Sequence, residues 1–348
     1  MLEIWLRYDL RSPEIGVSTR DLCAAALEQL AWADAKGFHT AQLPEHHGSH
    51  DNYNPSPMIL GAAVASRTTK LRIHPSAVLL PLHDPVRVAE DACMLDQISN
   101  GRLDLTIGVG YSTAEYAMFG VKMADRARLV ESKLDVLHRA FAGETFNYEG
   151  RTVHVRPGPV QKPGPRLFMG GSVKATATRA ARLGDGFYPM QYTKELADLY
   201  NETCLSLGKA PGRVINSTGP RFIHVSEDPE RDWPKIAPHA IHETNTYAQL
   251  AQELGQITPF KHVDDAAALR ATNTYLVITP DETLALARSQ RDAGRHLTLV
   301  PLVAGLDPEL AWQSLELFAN KVIPQLQADD EVPATNAVQR APWAPATV

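Results

Sequence analysis

Between Leu2 and Gly110 the chain runs repeatedly through a short strand, a turn and an amphipathic helix, and this repetition restricts the fold more than any other feature. "LEIWLRYDL" reads as a strand. Ser18 and Asp21 then form a capping pattern, and Cys23, Ala26, Leu27, Leu30 and Ala33 line one helical face before Gly37 stops it. "FHTAQL" predicts the second strand. Ser56 and Pro57 open the second helix, because proline costs nothing in a first turn whose N–H has no partner anyway. "LRIHPSAVLL" predicts the third strand, and "DPVRVAEDACMLDQIS" a helix that ends at Asn100-Gly101. "RLDLTIGVG" is the fourth strand.

A helix over 126–141 and a hairpin, "TFNYEGRTVHV", turning at Glu149-Gly150, come next. The rhythm then resumes with "RLFMGG" as strand five, "GFYPMQ" as strand six and "RVINSTGPRFIHV" as strand seven. An irregular insertion over 227–273 precedes strand eight, "HLTLVPLV", and the closing helix "PELAWQSLELFANKVIPQL". Eight such units without a linker predict a single α/β domain over residues 1–328, a closed (β/α)8 TIM barrel. The hairpin lies between units four and five, and the insertion follows strand seven. The Ala- and Pro-rich segment 329–348 is expected to be a poorly ordered tail. In such barrels the chemistry sits at the C-terminal ends of the strands. Trp5 and Arg7 point to one side of strand one by alternation.

The formal net charge of -6 argues against a nucleic-acid or anionic-membrane partner, since both need a basic footprint. Cys23, Cys93 and Cys204 are far apart and form no C-x-x-C pair, which suggests a reducing compartment. With no basic leader before an apolar run and no bilayer-length apolar stretch, the expectation is a cytoplasmic protein without a membrane partner.

The segment "AQLPEHHGSHDN" places Glu45, His46, His47 and His50 directly after strand two, at the expected barrel mouth. An imidazole there is a natural proton carrier near neutral pH. A metal site is the competing reading. His46 and His50, four apart, would face together only on a helix, whereas Gly48 and the Asn-Pro-Ser-Pro run make this a loop. His83 and a mid-strand His74 are the only other nearby ligands, so no metal is expected. "GVGYST" lacks the third glycine of a dinucleotide fingerprint. In "MGGSVKAT", Gly170 and Gly171 allow close backbone approach, and Ser172 can cap a helix whose exposed amides would cradle a phosphate.

Three stretches together carry a likeness: "PEHHGSHDNYNPSPMILGAAVASRT", "VLLPLHDPVRVAEDACMLDQISNGRLDLTIGVGY" and "FMGGSVKATATRAARLGDGFYP". They resemble the bacterial luciferase-like flavin-dependent oxidoreductases, as does the closing "SLELFANKVIPQL". The resemblance implies a barrel that binds a reduced flavin, either FMN or the deazaflavin coenzyme F420, and a homodimer formed through helices two and three. It implies that His46 faces the flavin, with Glu45 orienting an imidazole and His47 structural. Ser76 and Ala77 match a cis peptide that backs the flavin ring. Gly108, Val109 and Gly110 match the loop beside it, Gly170, Gly171 and Ser172 the phosphate cradle, and Gln191 reaches the pocket. Val109 stands where luciferase has an arginine that clamps the phosphate, which weakens that contact. The function implied is a monooxygenase that uses reduced FMN and O2 on a small, mostly apolar organic substrate, with a separate flavin reductase. The alternative is hydride transfer with deazaflavin. His239, His242 and Tyr247, inside the insertion, are expected on the solvated surface.

Overall fold

The structure, a computed structural model, describes residues 1–253 and 260–331. Its strands are β1 (Ile4–Arg7), β2 (Thr40–Leu43), β3 (Arg72–Leu79), β4 (Asp104–Gly108), β5 (Phe146–Tyr148), β6 (Arg151–Val153), β7 (Arg166–Gly170) and β8 (Gly186–Tyr188). They continue with β9 (Arg213–Val214), β10 (Phe222–Val225), β11 (Tyr275–Ile278) and β12 (Leu297–Leu299). Eight of them form one parallel sheet in the order β12-β1-β2-β3-β4-β7-β8-β9. β5 and β6 make the antiparallel hairpin expected from Glu149-Gly150, where both residues take positive φ.

The sheet is curled rather than flat. Laid flat, β1 and β8 would stand roughly 24 Å apart at the usual strand spacing. Yet the rings of Trp5 and Tyr188 meet at 6.1 Å, so the two ends of the sheet bend toward each other around a shared interior. Trp5 therefore points inward, with His74, Phe168 and His296. The outer face is covered by helices whose caps follow the sequence signals. Ser18 accepts from Asp21 N, Asp84 from Val86 N and Arg87 N, and Asn100 closes its helix in the left-handed region. The main core lies between sheet and helices, with Leu6, Leu22, Leu30, Leu43 and Ile107 shut off from solvent.

Two expectations are corrected. Strand seven divides: Arg213–Val214 joins the curled sheet, while Phe222–Val225 pairs in parallel with β11. The described part of 227–273 is largely helical rather than irregular. It contains the 25-residue helix Pro229–Glu253 and the short helix Ala266–Ala271. Pro234 and Pro238 lie inside the long helix, where each proline costs about 3 kcal/mol in an isolated helix. Tertiary burial offsets this, since Trp233, Ile236, Ala237 and Ala240 pack with Phe222, Leu269 and Tyr275 into a second core. Of the expected tail, residues 332–348 lie outside the described residues.

Three imidazoles are enclosed by this fold: His74, His224 and His296. Burial pushes each of them down to about 4. Below the ordinary histidine range the unfolded chain binds protons that the folded chain refuses, so stability falls as pH drops from about 6.5 toward 4. The loss should reach on the order of 2–3 kcal/mol per group. Urea midpoints measured across this window should decline steadily, and His296→Phe should make the decline shallower. A midpoint that stays constant down to about pH 5 would contradict the burial argument.

Candidate active site at the carboxyl ends of the strands

The interior of the curled sheet is built in layers. In the lower layer His74 Nε2 shares a hydrogen bond with Thr106 Oγ1 at 2.8 Å, beneath the Trp5 and Phe168 rings. One step higher, Gln42 donates to Tyr188 Oη at 3.0 Å and to Ser76 Oγ at 3.3 Å. Above these, at the strand ends, stand the groups able to do chemistry.

His46 is fixed on both ring nitrogens. Its Nδ1–H donates to Glu115 Oε1 at 2.8 Å, which leaves Nε2 to accept from the Tyr111 hydroxyl at 2.9 Å. The Tyr53 ring meets the imidazole edge-on at 4.8 Å. Glu115 is buried because it lies in the first turn of the helix Thr113–Met118, capped by Ser112, and its Oε1 also accepts from His47 N at 2.9 Å. A carboxylate behind an imidazole sets its tautomer, so this chain of groups can hold or pass a proton.

Glu45 serves other imidazoles. Its Oε1 accepts from His47 Nε2 at 2.7 Å and from His83 Nε2 at 2.6 Å, while Oε2 accepts from Leu79 N at 3.3 Å. Burial alone would raise this carboxyl, but the hydrogen bonds from His47 and His83 outweigh it and hold Glu45 below its usual range. These three residues bring one ligand atom each within 4.8 Å of one another, a grouping that could hold a metal ion. Their donors and acceptors already satisfy each other. His50 is exposed.

The expected flavin-side residues converge on a shelf. The Ser76–Ala77 peptide is cis, and the β3–β4 register shifts between Ser76 and Val78. A Cβ on Gly108 would stand 3.0 Å from the Ala77 Cβ. One on Gly170 would meet Thr106 Cγ2 at 3.2 Å and the Ala77 Cβ at 3.9 Å. Larger side chains at either glycine would fill the space above Ala77. Gly171 has φ +133°, and a Cβ there would strike Thr176 at 2.9 Å, so this position accepts only glycine. Val109 contributes its carbonyl to the Tyr116 hydroxyl, and Gly110 turns the chain with φ +70°. The capping expected of Ser172 is overturned. Val173 is the cap of the helix Lys174–Leu183, and Ser172 Oγ instead accepts from Gln191 N at 2.8 Å. That bond ties the end of β7 to the end of β8.

A second group had no signal in the sequence beyond Arg7 itself. Arg7, at the end of β1, donates to Glu243 Oε1 and to the Tyr53 and Tyr247 hydroxyls, each at 3.1 Å. Arg221 reaches the same Glu243 oxygen at 3.2 Å, and Tyr275 donates to Oε2 at 2.7 Å. His242 pairs with Asp51 at 2.9 Å, which also takes Arg11. Tyr247 and His242 are thus half-buried partners of the mouth rather than solvated surface residues, while His239 hydrogen-bonds the Ala304 carbonyl at 2.8 Å.

The chain is similar to proteins of known kind over most of its length. The family described as luciferase-like monooxygenase matches residues 11–295. The 4-hydroxyprotoasukamycin monooxygenase of Streptomyces nodosus subsp. asukaensis is 27% identical over 321 residues, 86% of this chain and 85% of that protein. For other curated relatives the match spans about half of their length. The oxygenating constituent of 3,6-diketocamphane monooxygenase from Pseudomonas putida, solved with FMN, superposes with a TM-score of 0.71 at 20% identity. That match covers 93% of this chain and 98% of that one. An F420-dependent secondary alcohol dehydrogenase superposes with a TM-score of 0.66 at 17% identity, over 93% and 98% of the two chains. The two structures share the fold at these identities, and the match over residues 11–295 decides the family. With that match laid over the curled parallel sheet and its His46 mouth, the chain belongs to the luciferase-like monooxygenase family.

Proposed function

We propose that the chain is a flavin-dependent monooxygenase that uses reduced FMN and O2 to oxidise a small organic substrate. The observation that carries this reading is His46, held between Glu115 and Tyr111 at the end of the sheet that also bears the small-residue shelf. The residues present fit a flavin. Ala77, Gly108 and Gly170 leave room for a flat ring, and the Gly170–Gly171 turn ahead of the helix Lys174–Leu183 offers backbone amides to a phosphate. The Ser172–Gln191 bond would keep that turn in place. Reduced flavin, when bound, supplies two electrons to O2, so that one oxygen atom goes to the substrate and the other leaves as water. His46 would hold and move the proton at Nε2, with Tyr111 as its neighbour and Glu115 fixing the tautomer. Tyr53 and Tyr111 would keep water from the imidazole.

The same reading takes the curled sheet as a (β/α)8 barrel within one domain, with the segment 227–273 as the insertion after its seventh strand. It takes a separate flavin reductase as partner and treats Glu45, His47 and His83 as a charge network without metal. It also takes the chain as a cytoplasmic protein and as a homodimer through the second and third helices, and the exposed Ile59, Met94 and Ile98 on those helices support the dimer. No described helix is long and apolar enough to cross a membrane.

The second reading is hydride transfer with deazaflavin. Val109, in place of a clamping arginine, favours it, as does the similarity to the F420-dependent dehydrogenase. An oxygen electrode separates the two. With reduced FMN and an accepted substrate, the protein should couple oxygen uptake to formation of an oxygenated product. Product formed only with the reduced deazaflavin, without oxygen uptake, would replace the first reading by the second.

A further inference from the structure

Tyr247, on the helix Pro229–Glu253, is surrounded by three guanidinium groups that the proton path through His46 does not use. Arg7 Nη2 donates to its hydroxyl at 3.1 Å and to the Tyr53 hydroxyl at the same distance. The Arg11 and Arg221 guanidinium carbons lie 4.7 and 4.8 Å from the Tyr247 ring centre, and Phe260 stacks on the ring at 4.8 Å. The opposing charges come from several elements. Glu243, one turn earlier on the same helix, pairs with Arg7 and Arg221; Asp9 lies beside Arg7 and Arg11; Asp51 pairs with Arg11 and His242. Tyr111, from the loop after β4, also faces Tyr247.

Counting hydrogens shows what this arrangement favours. Arg7 Nη2 carries two N–H groups and donates to both phenol oxygens, with Asp9 Oδ2 3.4 Å from the same nitrogen. The two hydroxyls are 3.4 Å apart, which leaves room for one hydrogen between them. If both phenols were neutral, one hydroxyl hydrogen would find no acceptor within the Arg7–Tyr53–Tyr247 cluster itself. If Tyr247 is ionised, its oxygen accepts from Arg7 and from Tyr53, and every hydrogen is used. Burial by itself would raise this phenol. Arg7, Arg11 and Arg221 outweigh burial and the opposing Glu243, and bring Tyr247 down to about 7.

We propose that Tyr247 is a base of this site, a phenolate at neutral pH that takes a proton from the substrate, and that the substrate is therefore an acidic phenol or an enolisable carbonyl compound. The substrate class rests on the oxygenation reading above; the state of Tyr247 does not. In the step, the substrate O–H or α-C–H bond breaks and its electron pair stays on the substrate as phenolate or enolate. The proton forms a new O–H bond on Tyr247, and nothing is oxidised or reduced. The resulting anion is electron-rich, the form that best accepts an oxygen atom. A base with its pKa near the working pH suits this transfer. Tyr247 is half-buried, and its neighbours His242 and Phe260 line a cavity of about 810 Å³ that runs along the helix past Asn245, Thr246 and His262.

The test follows tyrosinate absorbance in the full chain, without flavin, from about pH 5 to about pH 9. Wild type should show a step worth one tyrosinate near neutral pH. The step should vanish in Tyr247→Phe and move upward in Tyr53→Phe, both checked for folding by thermal melting. No step in wild type, or a step that survives in Tyr247→Phe, would overturn the proposal. The second readout adds 4-nitrophenol, an acidic phenol whose colour reports its own ionisation. Wild type near neutral pH should bind it as the phenolate and Tyr247→Phe as the neutral phenol. Neutral binding by wild type, or no binding, would overturn the base role and the substrate class. Neither readout involves flavin or oxygen, so failure here leaves the flavin reading standing, and failure of flavin binding leaves this result intact.

Discussion

Replacing His46 with alanine should lower turnover by roughly 10²–10⁴-fold, the usual worth of a positioned acid–base group, while reduced-flavin affinity changes little. The expectation follows from the two hydrogen bonds that fix the ring. Glu115 holds Nδ1–H, so Nε2 is the only nitrogen free to exchange a proton at the mouth. Exogenous imidazole should restore part of the lost rate, a rescue that a merely structural histidine would not show. Glu115→Gln should keep the size of the side chain but weaken the acceptor that fixes the His46 tautomer, and should give an intermediate defect. Full activity in His46→Ala, measured as product formed per reduced flavin, would remove this residue from the mechanism.

The largest loss of stability should come from Glu243→Leu, about 3–5 kcal/mol, read from urea denaturation near neutral pH. Glu243 is fully buried and accepts from Arg7, Arg221 and Tyr275. Without it, the guanidinium groups of Arg7 and Arg221 lose their buried counter-charge. The cost is that of stranded charges rather than of a lost bond. Burial would raise this carboxyl, but Arg221 and Arg7 outweigh burial and hold it down to about 2. Its contribution is therefore complete above the ordinary carboxylate range and is lost only as pH falls through about 2. A loss below about 1 kcal/mol would mean that Asp9 or solvent takes over the arginines.

Local chemistry explains which parts of this molecule could be read from its sequence. Ser18, Asp84, Asn100 and the Glu149-Gly150 turn each announce a cap or turn through their own side chains or backbone freedom, and each does what its type suggests. The order of strands in the sheet follows from their alternation with helices. The failures share one cause, which is that distant partners decide the outcome. Ser172 is a good helix cap by type, yet its hydroxyl accepts from Gln191 N and Val173 takes the cap position. Pro234 and Pro238 break the helical pattern, and only the core formed with Phe222 and Tyr275 makes that helix stable. Within the site, the Glu-His-His motif was visible, but the pairing was not. His46 takes Glu115, 69 residues away, while the adjacent Glu45 takes His47 and His83. Arg7 meets its helix partners more than two hundred residues downstream, at Glu243 and Tyr247. Ser76, Ala77, Gly108 and Gly170 do converge, because they occupy neighbouring strand ends where small residues leave space.

The most direct test of the central claim is a titration of the purified protein under nitrogen with reduced FMN and, separately, with the reduced deazaflavin, followed by fluorescence. The account predicts saturable one-to-one binding of reduced FMN, weakened in a Gly171→Val variant whose turn is distorted. Binding of the deazaflavin alone would move the protein to hydride transfer, and binding of neither would contradict the flavin site itself.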